Sequence, residues 1–174
     1  EGMYFVNAPV NLMDGASFSV KDFNDVTATV YTVINDATEL AAVSGDLTGK
    51  YVLGNNISFA GTNWASLGDQ GTPFEGIFDG LLHTIDGLDN SASGEVTDVG
   101  LFGACGTSCL IQNVGLTNVD ITGAQNVGAL AGYSNGWIHN SYATGTVTGS
   151  GATVGAIGGL VGNSPGAITQ SYAD

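Results

Sequence analysis

Few residues in this chain have side chains and spacing that could do chemistry. Cys105 and Cys109 bracket Gly106-Thr107-Ser108, a spacing that allows a small disulfide-closed turn in an oxidising compartment. A disulfide is the favoured reading, ahead of free thiols and of a metal site, because zinc would need two further ligands. The only histidines are His83 and His139. His83 follows the Asp79-Gly80 turn and is expected to hydrogen-bond a neighbouring turn. His139 flanks Ile138 and is expected to point outwards. Sixteen carboxylates raise the question of glycoside hydrolysis, which uses two positioned acids. Asp69, Glu75, Asp79, Asp86, Asp89, Glu95, Asp98 and Asp120 are instead scattered without a recurring pair and read as solvated turn residues. Neither a catalytic residue nor a cofactor is expected. Asp86, Asp89 and Glu95 are the candidates for calcium, which prefers oxygen ligands, although no spacing matches a known calcium loop. Trp64 and Trp137 are the candidates for stacking on a sugar face. The alternative for Trp137 is packing under the Ser134-Asn135-Gly136 turn. Asn56-Ile57-Ser58 is an N-glycosylation sequon; with Ile57 expected to face inwards, it reads as strand sequence rather than a modified site.

The elements that position these residues are announced by composition and repetition. The chain has 174 residues, 28 of them Gly, with two Lys and no Arg, and a formal net charge of −14. A nucleic-acid partner is excluded on this reading, because phosphate neutralisation needs cations. Docking to anionic lipid fails for the same reason, and no apolar run reaches the roughly 20 residues that span a bilayer. Charged residues make up 10% of the chain and hydrophobic ones 43%, so the sequence describes a folded protein with a surface of Thr, Ser, Asn and Gly rather than an acidic disordered tail. Val, Ile and Thr between glycines point to β structure. One helix is expected after Asn35, where Asp36-Ala37-Thr38-Glu39 has capping-box spacing.

Repetition is the main signal. Val99-Gly100-Leu101-Phe102-Gly103 recurs as Gly128-Ala129-Leu130-Ala131-Gly132 and Gly158-Gly159-Leu160-Val161-Gly162. Each is followed by an Ile-centred segment, and the Ile series 57, 85, 111, 138, 168 has a period in the high twenties, which marks a solenoid. Short segments of alternating apolar and small polar residues, such as Val119-Asp120-Ile121-Thr122, are strands. The sequence therefore predicts a right-handed parallel β-helix of five to six coils. Leu101, Leu130 and Leu160 form one internal column and the five isoleucines another. Asn113, Asn140 and Gln170 align at a corner, Tyr142 stacks on Tyr172, and glycines supply positive φ at the corners.

The repeat Ile138-His139-Asn140-Ser141-Tyr142-Ala143-Thr144-Gly145-Thr146-Val147-Thr148-Gly149, preceded by the Gly128–Gly132 stretch, resembles the GLUG repeat of large bacterial surface exoproteins. Pro73-Phe74-Glu75-Gly76-Ile77-Phe78-Asp79-Gly80 and the segments before it resemble the lead-in of filamentous-haemagglutinin-like adhesins. The resemblance covers roughly residues 30–174. It implies a Gram-negative cell-surface protein exported by two-partner secretion through an outer-membrane transporter, with roles in biofilm and virulence, and it transfers no catalytic residue.

On this reading residues 1–30 are flanking strands or the end of a preceding module. Residues 31–174 are the β-helix, broken off in mid-repeat, with the helix near Asp36 covering its N-terminal edge. The expected function is that of a secreted adhesin fragment, monomeric, attaching to a host-cell, matrix or biofilm surface, with glycan as a candidate ligand. A passive spacer and a polysaccharide-processing enzyme are the alternatives.

Overall fold

The computed structural model describes residues 7–21, 27–59, 63–91, 96–151 and 155–174. Among these the chain is nearly all β and winds into a parallel β-solenoid. One sheet collects Phe18–Val20, Thr29–Ile34, Lys50–Leu53, Ile77–Asp79, Leu110–Gln112, Trp137–His139 and Ala167–Thr169 in that order. Every pairing in it is parallel except the first. A second sheet runs Ile57–Ser58, Thr84–Asp86, Gly115–Gly123, Tyr142–Gly149 and Tyr172–Ala173. The third face is built from Phe102–Cys105, Ala131–Ser134 and Val161–Asn163.

The solenoid makes about four turns rather than five to six. Along the first sheet the inward column is Tyr51, Phe78, Ile111, Ile138, Ile168, with coil lengths of 27, 33, 27 and 30 residues. Thr32 and Tyr51, paired one step earlier, are only 19 residues apart, because the helix Ala37–Ala42 replaces the remaining sides of that coil. Asp36 caps this helix by accepting from the Glu39 backbone N–H at 2.8 Å. Glu39 in turn accepts from the Asn35 N–H at 2.7 Å, one residue upstream of the usual capping-box partner. Its Leu40, with Val43 just beyond, is buried against the cluster containing Ile34, Leu53 and Ile57, so the helix closes the end of the core. The edge of the first sheet is covered instead by antiparallel Phe18–Val20.

The isoleucines do not form one column. Ile57 and Ile85 belong to the second sheet, above Leu116, Ala143 and Ala173. Between the first and second sheets the earlier coil inserts residues 80–83 where the next coil uses only 113 and 114. That insertion, together with aromatic Tyr51 and Phe78 in the inward slot, makes the period-matching isoleucines fall on different faces. Leu101, Leu130 and Leu160 do stack, each one residue before the register partners Phe102, Ala131 and Val161.

Corners are turned mainly by amides rather than glycines. Asn113, Asn140 and Gln170 have φ of +55°, +46° and +51°, and Asp98, Asn118 and Asn126 are also left-handed. Asn tolerates this conformation better than most residues and can bond across the turn. The repeat glycines serve close approach between coils. A Cβ on Gly132 would lie 2.5 Å from the Val99 nitrogen and 2.6 Å from the Asp98 carbonyl carbon, where no side-chain atom fits.

Leu82 lies in the corner stacked on Asn113, donating its N–H to the Asn113 carbonyl, and has φ of +67°. A left-handed Leu costs about 1–2 kcal/mol. Leu82→Asn is therefore expected to raise the melting temperature by about 2–4 °C, read by thermal denaturation.

Candidate functional site

The carboxylates that the sequence suggests as solvated turn groups include two buried ones, Asp79 and Asp98. Asp79 ends a strand and accepts from Gln112 Nε2 at 2.6 Å, from the Leu81 N–H at 2.8 Å and from Asn113 Nδ2 at 3.1 Å. Asn140 Nδ2 then donates to Asn113 Oδ1 at 2.8 Å, extending the ladder by one coil. A second ladder runs through Asp98, which accepts from Gln70 Nε2 and Asn126 Nδ2, both at 2.8 Å. Buried acceptors of this kind hold register between coils, since each leaves a desolvated partner if the stacking slips. Coil-specific Asp was missed because Asp-Gly reads as a surface turn; the recurring Asn one coil later was the available signal.

Of the calcium candidates, Asp86 and Asp89 each accept hydrogen bonds from neighbouring side chains. Asp86 accepts from Thr117 Oγ1 at 2.6 Å and Asn118 Nδ2 at 2.7 Å, and these two bonds hold its carboxyl below the ordinary carboxylate value. Asp89 accepts from Ser91 Oγ at 2.6 Å. Glu95 lies outside the described residues, and among the described ones no group of three His, Cys, Asp or Glu side chains could hold a metal ion.

Trp64 is a core residue rather than a sugar platform. It is 6% exposed, packs edge-on against Phe59 at 5.3 Å, and donates its indole N–H inwards to the Leu101 carbonyl at 3.0 Å. Trp137 is different, with 49% of its surface exposed. It sits on the outer face of the first sheet, in register between Leu110 and Ala167, so it is not packed away under the preceding turn. Around the Asn140 corner, Tyr142 and Tyr172 stack at 5.4 Å with rings 9° from parallel, and Tyr172 is 59% exposed. Trp137 and Tyr172 thus expose their rings on two adjoining faces of the last two coils.

His139 Nδ1 lies 2.8 Å from Thr169 Oγ1. His83 is buried, with Nδ1 3.1 Å from Asn56 Oδ1 and Nε2 3.0 Å from the Val10 carbonyl. It ties the segment around Val10 and Leu12 to the outer face of the first sheet, where Tyr31, Val52, Ile77 and Leu81 form a second, smaller core.

Cys105 and Cys109 are joined by a disulfide across a Cα separation of 5.5 Å. Glu75, from the preceding coil, accepts from the Ser108 N–H inside this loop at 2.6 Å. Replacing both cysteines with serine is expected to cost about 2 kcal/mol, the loop-closure value for so short a loop. The check is the shift in urea midpoint against the oxidised protein.

No protein-family model matches the chain. Over 109 residues, 63% of the chain, it is 43% identical to a part of halomucin from Haloquadratum walsbyi. That part is 1% of halomucin, so the chain spans a very small fraction of the relative's length. A crystal structure of a Bacteroides ovatus protein, provisionally described as an immunoglobulin A1 protease, superposes with a TM-score of 0.61 at 24% identity. The superposition covers 83% of this chain and 47% of that one, and at this identity the likeness is one of fold. Solenoid and halomucin match together fit a repeat protein of the cell surface.

Proposed function

We propose that this chain is a non-catalytic, adhesive shaft segment of a secreted or cell-surface protein, with the GLUG-like repeats building the shaft. The observation that carries the extracellular part is the 109-residue match to halomucin. The internal disulfide supports it, since such bonds persist in oxidising compartments. A non-catalytic role is supported by the placement of the carboxylates described above, whose hydrogen bonds to amides, hydroxyls and backbone N–H groups hold neighbouring coils or their own turns. The contact surface in this reading is the half-exposed indole of Trp137, an amphipathic ring of the kind that stacks on sugar faces.

A glycan array probed with the wild-type chain and with Trp137→Ala tests the proposal. Binding by the wild type, weakened about tenfold or more by Trp137→Ala at unchanged melting temperature, is the expected result. Absence of binding by the wild type removes the adhesive reading. The passive spacer is then what remains, a role favoured by the two short ladders of amide bonds between coils.

A further inference from the structure

We propose that Asn56 is an acceptor for an N-linked glycan. The sequon Asn56-Ile57-Ser58 reads as a strand, and Ile57 is indeed buried at 2% exposure. Its two neighbours are not. Asn56 and Ser58 are both exposed, because alternation along a strand sends flanking side chains to the opposite face from an inward residue. The sequon thus places its hydrophobic middle residue in the core and both chemically required residues in solvent.

The amide of Asn56 is also held with a fixed orientation. Its Oδ1 accepts from the Thr84 backbone N–H at 3.0 Å and faces His83 Nδ1 at 3.1 Å. A backbone N–H can only donate, so the oxygen points towards the following coil and Nδ2 away from it. Asn56 Nδ2 makes no hydrogen bond among the described residues. On the side it faces, Ile57–Ser58 is the end strand of its sheet, with no further strand paired to it among the described residues. Attachment at Nδ2 therefore leaves both of the bonds that Asn56 makes to the next coil intact. Ser58 makes no side-chain hydrogen bond among the described residues either, so its hydroxyl is available to a transferase.

The transfer would use a lipid-linked oligosaccharide phosphate as donor. A bond forms between Nδ2 and the sugar C1 while the C1–O bond to phosphate breaks. The lipid phosphate leaves with the electron pair, and Nδ2 loses one proton to a base of the transferase. The product stands at the end strand of its sheet among the described residues.

The inference rests on the extracellular reading, and its test keeps the two apart by supplying export artificially. The full chain is secreted behind an added signal peptide from N-glycosylating eukaryotic cells, and the peptide containing Asn56 is examined by mass spectrometry. The expected result is a glycopeptide in most molecules, lost in Ser58→Ala, whose sugar is released by amidase with conversion of the attachment residue from asparagine to aspartate. This variant is preferred to Asn56→Gln because it leaves the bonds to His83 and Thr84 untouched. A folded, secreted chain whose Asn56 is unmodified overturns the acceptor assignment and leaves the adhesive reading standing. Should secretion yield be poor, translation into microsomes reports the same outcome as the presence or absence of a gel shift.

Discussion

Phe102→Ala is expected to destabilise the protein by about 3–5 kcal/mol, the range for deleting a fully buried aromatic ring. Phe102 is 0% exposed, and its ring centroid lies 4.9 Å from that of Phe74 and 5.3 Å from that of Phe78. These three rings join two faces of the solenoid, since Phe78 belongs to the first sheet and Phe102 to the third. Little could move in to fill the space. The register partner of Phe102 in the next coil is Ala131, and the rungs are fixed about 4.8 Å apart by backbone hydrogen bonds. The loss is therefore expected near the upper part of the range. In a stack where each coil contacts mainly its neighbours, weakening a middle coil also lowers the coupling between the two ends. Urea unfolding of Phe102→Ala should show a lower midpoint and a smaller slope than the wild type. An unchanged midpoint would contradict the placement of this ring at the centre of the core.

The fold was legible where one physical requirement repeats unbroken. Leu101, Leu130 and Leu160 recur because each coil must present an apolar side chain to the same interior slot. Asn113, Asn140 and Gln170 recur because a left-handed corner next to another such corner rewards an amide. The stacked pair Tyr142 and Tyr172 followed from the same logic. Legibility failed where a coil departs from the average. Two extra residues in the corner 80–83 set Ile85 on another face, where it pairs with Ile57. A helix cut one coil short, and aromatic Phe78 stood where the pattern expected Ile. Burial of single residues was the hardest to foresee. Trp64 and Trp137 are the same residue type in similar polar surroundings, and only the fold shows that one donates its N–H to a core carbonyl while the other faces solvent. Positive φ accounts for some glycines, Gly68, Gly87 and Gly145 among them, but not for repeat glycines such as Gly132. Local sequence reports the conformational freedom of Gly132, whereas the backbone that excludes a Cβ there comes from Asn126 in the same coil and from Asp98 and Val99 in the preceding one.

Asp79→Ala is expected to cost about 3 kcal/mol or more, although the substitution removes no large apolar group. The carboxylate is fully buried and receives hydrogen bonds from the Leu81 N–H, Gln112 Nε2 and Asn113 Nδ2. Removing it leaves three desolvated donors without that acceptor, each costing about 1–3 kcal/mol. The turn that follows makes relaxation harder. Leu81 and Leu82 both hold positive φ, and the bond from the Leu81 N–H to Asp79 is one of the interactions that keeps them there. Asp79→Asn is expected to lose less, since one oxygen is retained while its new amide hydrogens face donors. The discriminating variant is the double substitution Asp79→Ala with Gln112→Leu. Replacing a donor together with its acceptor can be nearly neutral, whereas stranding one of them is not. The pair should therefore be less destabilised than the sum of the single variants, by about 1 kcal/mol or more, when urea midpoints are compared across the full cycle. Strict additivity would mean that the carboxylate acts through its turn alone and not through the ladder to the next coil.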